Sequence, residues 1–202
     1  MKLLLLLFAF PMVGFGQNVN IPDANFKKYL INNAAINKNG DREIQVSEAS
    51  AFNDTIDCSE MEISNLRGIE AFTALTALYC GNNQLTSLDV SKNNALAYLW
   101  CSYNQLTNLV SKNTALIELS CEGNQLTIID LSKNTALTSL VCGFNQLTSL
   151  DISKNSALTY LTCEENQLTS LDVSKNNALT ELGCYDNKFD CDALKRKYGI
   201  KN

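Results

Sequence analysis

From Leu75 towards the C-terminus the apolar positions follow neither the helical period nor simple alternation, but a fixed pattern about 21 residues long. One period reads Leu75-Thr-Ala-Leu78-Tyr-Cys80-Gly-Asn-Asn83-Gln-Leu85-Thr-Ser-Leu88-Asp-Val90-Ser-Lys-Asn-Asn-Ala95. Further periods start at Leu96, Leu116, Leu137 and Leu158, a partial one starts at Leu179, and a half-period, Cys58 to Ile63, precedes them all. The period from Leu96 is one residue short, reading Leu109-Val110 where its siblings place an Asp before the aliphatic residue. Leu75, Leu78, Cys80, Leu85, Leu88 and Val90 form one coil's inward set, and alone they cannot bury one another. Stacking coils at a strand spacing of about 4.7–4.9 Å makes one parallel sheet and one shared core. Asn83, Asn104, Asn124, Asn145, Asn166 and Asn187 form a column whose side chains can pair backbone groups that burial would otherwise orphan. Coils of 20–21 residues leave no room for a full helix on the far side, so short extended or 3₁₀ segments are expected around Asp89 to Lys92.

The frame L-x-x-L-x-C-x-x-N-x-L resembles the leucine-rich repeat, with Cys in the third Leu slot. The chain is similar to secreted bacterial leucine-rich repeat proteins of internalin-like layout, and the resemblance covers about residues 56–190. It implies an α/β solenoid: a right-handed leucine-rich repeat whose parallel sheet is concave. It is far more specific for fold than for function.

The ends change this picture. Lys2, the apolar run Leu3 to Phe10 and Gly14-Phe15-Gly16 read as an export leader over residues 1–16, so a secreted, periplasmic or cell-surface protein is expected, with no membrane insertion after cleavage. Residues 17–55 read as a helical N-terminal cap. Phe26, Tyr29 and Leu30 lie at helical spacing, a second helix begins near Ser47, and a twelve-residue EF-hand-like loop lies between. Asn37, Asn39, Asp41, Glu43 and Glu48 stand at calcium-ligand positions of that loop. Asn37 replaces the usual first Asp, however, and Arg42 occupies the place of the turn glycine. Two readings stay open: a calcium site, or a cap that keeps the loop's shape without the ion. Residues 191–202 read as a C-terminal cap, with acids opening a short helix, bases closing it and Gly199 beyond its end.

Eight cysteines in an exported chain first suggest a disulfide framework. Cys58, Cys80, Cys101, Cys121, Cys142, Cys163 and Cys184 fall 20–22 residues apart, at equivalent inward places where a small thiol packs well. A buried thiol ladder is therefore expected, with Cys191 off it and within reach of Cys184. There is no histidine, which excludes Ser-His-Asp and Cys-His catalysis and His-ligated zinc. The formal charge is −5, which argues against a nucleic-acid surface.

Function must then be sought in what varies between coils. Between residues 75 and 187 all seven aromatics and six of ten acids fall on the outward strand side, and none of the five lysines does. Tyr79, Tyr98, Trp100, Tyr103, Glu118, Glu122, Phe144, Tyr160, Glu164 and Tyr185 are the candidate ligand-binding residues of the concave face. They suit a protein ligand, with aromatic anchors and acids that steer, or a glycan stacked on the rings. A smooth sheet offers no deep cleft to perturb a carboxyl, so catalysis is not expected. A monomer is expected.

Overall fold

The computed structural model describes residues 16–200; the expected leader, apart from Gly16, lies outside them. Helix α1 spans Ala24–Asn32 and α2 spans Val46–Ala51, so the second helix begins one residue before Ser47. Asp23 starts α1 by accepting the N–H groups of Asn25 and Phe26, each at 3.0 Å. Phe26 and Leu30 are fully buried, and Phe52 meets Phe72 edge to face at 6.4 Å, so the cap shares the core of the repeats.

Nine short strands follow: β1 Thr55–Asp57, β2 Ala77–Tyr79, β3 Ser87–Asp89, β4 Tyr98–Trp100, β5 Asn108–Val110, β6 Glu118–Ser120, β7 Ser139–Val141, β8 Tyr160–Thr162 and β9 Glu181–Gly183. Seven form one parallel sheet in the order β1-β2-β4-β6-β7-β8-β9, as one strand per coil requires. The central Ile56, Leu78, Leu99, Leu119, Leu140, Leu161 and Leu182 pair in register and point into the core. A second sheet on the far side contains only β3 and β5; later coils cross there as turns. The one 3₁₀ segment among the described residues, Ile69–Ala71, precedes the first complete coil.

Two asparagine columns hold the coils together. In the expected one, Asn104 Nδ2 donates to the carbonyls of Cys80 and Cys101, and its Oδ1 accepts the Leu85 N–H. The other asparagines of that column repeat the arrangement. The second column was not foreseen: Asn93, Asn113, Asn134, Asn155 and Asn176 are buried on the opposite side. Asn155 Nδ2, for example, donates to the carbonyls of Leu131 and Asn134. The short coil is patched here, because Ser111 is buried, donates to Asn113 Oδ1 and accepts from Asn134 Nδ2.

Six ladder cysteines are free and buried, and the seventh, Cys184, is bonded to Cys191 with 5.5 Å between Cα atoms. Burial pushes the Cys58 and Cys163 thiols up to about 12, with Asp57 and Glu164 adding to it. Helix α3, Cys191–Tyr198, is capped by Asp190 and ends at Gly199 with φ 67°, the left-handed geometry that glycine adopts without strain.

Candidate binding face

The register of the seven-stranded sheet turns the outward residues into columns. One column runs Thr55, Ala77, Tyr98, Glu118, Ser139, Tyr160, Glu181; the next runs Asp57, Tyr79, Trp100, Ser120, Val141, Thr162, Gly183. Backbone hydrogen bonds continue the stacking through Gly81, Ser102, Glu122, Gly143, Glu164 and Tyr185, and then through the residues that follow each of these. These four columns contain seven aromatics, many carboxylates and no lysine or arginine. Ala77 stands on this face yet is buried, because its methyl does not reach past Thr55 and Tyr98 on either side.

The candidate residues gather as two groups. In the first, Tyr79 and Trp100 stack with ring centroids 4.6 Å apart, and Trp100 keeps 46% of its surface in solvent. Tyr98 lies beside Glu118 in register. Tyr103 leans over Gly123, where a Cβ would come within 2.7 Å of the ring. Glu122 lies close enough to Tyr103 for its charge to raise the phenol's pKa, with minor help from desolvation. In the second group, Tyr160 pairs with Glu181, Glu164 packs against the backbone of Gly143, and Phe144 and Tyr185 are exposed. Ser139 and Val141 of β7 separate the groups with small, half-buried side chains. At the far end the Lys195 ammonium lies 4.4 Å from the Tyr185 ring centroid and donates to its hydroxyl. The face's own aromatic thus already holds a cation.

The last of the four columns has a backbone signature invisible in the pattern. Glu60, Asn82, Tyr103, Gly123, Phe144, Glu165 and Asp186 all have φ between 50° and 64°, and only one is glycine. From Asn82 onward each turns the chain from the sheet towards the asparagine column, so bulky Tyr103 and Phe144 sit in the left-handed region at a cost of about 1–2 kcal/mol each.

The loop residues proposed as calcium ligands are also close together, but on one another. Glu48 Oε1 accepts the N–H groups of Lys38 and Asn39, and its Oε2 accepts that of Gln45. Asp41 Oδ1 accepts the Glu43 N–H and its Oδ2 accepts from the Asn39 and Gln45 amides. Asn37 Nδ2 donates to the carbonyls of Ile31 and Asp41. Glu43 pairs with Lys27 at 2.8 Å. The left-handed turn is at Gly40, fourth in the loop, whereas the EF-hand pattern places it sixth. Among the described residues no group of three or more Cys, Asp or Glu is gathered as a metal site, and no helix is long and apolar enough to cross a membrane.

No family model and no curated protein matches the chain. Solved structures do. An internalin C2 from Listeria monocytogenes is 22% identical, with a TM-score of 0.75 over 88% of this chain and 80% of that one. A Leptospira interrogans leucine-rich repeat protein is 23% identical, with a TM-score of 0.65 over 75% of this chain and 43% of that one. The functional domain of InlJ from Listeria monocytogenes, described as including a cysteine ladder, is 27% identical over 89% of this chain, which spans 55% of it; its TM-score is 0.40. With one strand of the seven-stranded sheet, one inward Leu/Cys set and two bridging asparagines per coil, and the solenoid shared with the internalin C2 and the Leptospira protein, the chain has the leucine-rich repeat fold.

Proposed function

We propose that the chain is an exported, non-catalytic binding protein that takes a protein ligand on the outward face of its seven-stranded sheet. The observation that carries this is the segregation of charge and aromatics. Seven aromatic side chains share four columns with carboxylates, and no base stands among them. Exposed rings at the centre of a face supply anchoring area, and surrounding acids steer and select a basic partner. The Lys195–Tyr185 contact is the same recognition made within one molecule. Composition supports export, through the leader-like first sixteen residues. A glycan is the second reading, favoured by the stacked Tyr79–Trp100 pair, whose exposed surface is of the kind on which a sugar ring rests.

The test compares capture by the full chain with capture by a Tyr98→Ala, Trp100→Ala variant. A protein held by the first, lost by the second and released steeply by salt is the expected result, since acid-steered contacts are screened. Equal capture by both, or release indifferent to salt, would remove the protein reading; salt-indifferent retention of an oligosaccharide would put the glycan in its place.

A further inference from the structure

Beside β1 the cap and the first coil border an open cleft of about 670 Å³, lined by Asn25, Lys28, Tyr29, Asn32, Asn33, Ala34 and Met61. The charge of its lining is opposite in sign to that of the sheet face, although Asp57 stands close enough to Tyr29 to help burial raise that phenol's pKa. Lys28 is its single charge, and three carboxamides surround it. The acids nearest in sequence, Glu60 and Glu62, do not line it. Asn25, Lys28, Tyr29 and Asn32 are successive steps along one side of α1, the side that the buried Phe26 and Leu30 leave free. Met61 closes the other wall from a turn held in an unusual shape. Glu62 adds a second left-handed residue, φ 54°, to the recurring one at Glu60. Asn83 Oδ1 accepts the Met61 N–H, and Asn25 Nδ2 donates to the Glu62 carbonyl. No other coil has such a doubled turn among the described residues. Strain of this kind persists only where the surroundings over-determine it.

The cleft is continuous with the face. Tyr29, which lines it, accepts the Asp57 N–H at 3.1 Å through its hydroxyl; Asp57 is in register with Tyr79, and Tyr79 stacks on Trp100. A repeating polyanion would suffer from the acids along this track, whereas a single localised negative charge, followed by positive ones, would not. We infer, resting on the protein-binding reading above, that the cleft seats the free C-terminal carboxylate of a polypeptide ligand, with Lys28 and the asparagine amides as donors, while a preceding basic residue lies over Tyr79 and Trp100. From β1 to β4 is two strand spacings, about 10 Å, which an extended chain covers in about three residues. The basic residue therefore stands about three positions before the terminal one.

The probe is acetyl-Gly-Ser-Gly-Ser-Lys-Gly-Ser-Ala with a free C-terminal carboxylate, set against the same peptide as its amide, each titrated into the full chain with NMR detection. The free acid shifts the backbone amides of Asn25, Asn32 and Asn33 and the Trp100 indole, and the amide form shifts the indole alone. Lys28→Met weakens the free acid about tenfold, the loss of one charge-assisted contact, and leaves the amide form unchanged. Trp100→Ala weakens both forms alike, so failure of the face is told apart from failure of the cleft. Equal affinity of acid and amide for the wild-type chain, an undiminished difference in Lys28→Met, or no shift of the cleft amides at millimolar acid each overturns the inference.

Discussion

Replacing Asp23 by Asn tests how the N-terminal cap is attached. Asp23 carries two tasks on its two oxygens. Oδ1 caps α1, and Oδ2 accepts the Ser64 N–H at 2.9 Å, the Ser64 hydroxyl at 2.9 Å and the Asn65 N–H at 3.2 Å, joining the cap to the first coil. Asn keeps the first task, since it is as good a helix cap, but presents an NH₂ to three donors. Bonds to an ionised acceptor are worth about 1.5–3 kcal/mol each when dry; the exposure of this site reduces them to roughly 1 kcal/mol, so the substitution costs about 2–3 kcal/mol. For a chain of this length that lowers Tm by about 5–10 °C at pH 7, and exchange of the α1 amides quickens by a similar factor in free energy. Burial alone would raise the Asp23 pKa, but the N–H groups of Phe26, Ser64 and Asn25 with the Ser64 hydroxyl outweigh it and hold the carboxyl below 3.8. A carboxyl depressed in the folded state gives stability that is complete above its unfolded value and is lost as pH falls through its folded one. The gap between wild type and Asp23→Asn therefore closes on acidification below about pH 3.8. A variant melting within about 1 °C of wild type at pH 7, with α1 exchange unchanged, would refute the account.

Two further outcomes follow from the interior and the loop. Burial holds the ladder thiols far from ionisation, so iodoacetamide at pH 8 leaves all six unmodified in the folded chain, alkylates six in denaturant and eight after reduction; mass spectrometry counts the adducts, and stoichiometric labelling of the native chain would contradict the ladder. Calcium at millimolar concentration gives neither binding heat nor a higher Tm, because the ion would have to displace the loop's own N–H groups from Asp41 and Glu48; a saturable heat would return the loop to the EF-hand reading.

Much of the architecture is legible in the sequence because it repeats. Leu78, Cys80 and Asn83 announce strand, core and turn in every coil, and Asp190 and Gly199 mark both ends of α3. The second asparagine column repeats as faithfully, yet within Ser-Lys-Asn it reads as a solvated turn; only the packed coils reveal that Asn134 is fully buried. The left-handed column hides for a different reason. Backbone geometry there is set by the strand-to-asparagine turn, and Tyr103 or Phe144 gives no hint that φ is positive. The outward Tyr79, Tyr98, Trp100, Tyr160 and Tyr185 followed from alternation along each strand, whereas Tyr103 and Phe144 stand one residue out of that step. The cleft did not, since Lys28 and Asn32 look like an ordinary wet side of a helix until α1 is set against Met61. Cys191 could be placed near Cys184 by counting, but pairing required the short helix between repeat and terminus to turn back on the last coil.

The left-handed column also bears on how such a face changes over time. Glu, Asn, Tyr, Gly, Phe, Glu and Asp all occupy one backbone shape there, and all but the first, Glu60, stand immediately before an asparagine whose amide bridges the coils. Exchanging one of the non-glycine letters for another alters what the surface offers while the coils beneath keep their contacts; Gly123 is the exception, because the Tyr103 ring fills the space a Cβ would need. The column works as movable type on a fixed press: new specificities can be composed one coil at a time, and the Leu, Cys and Asn that hold the coils need never be reset.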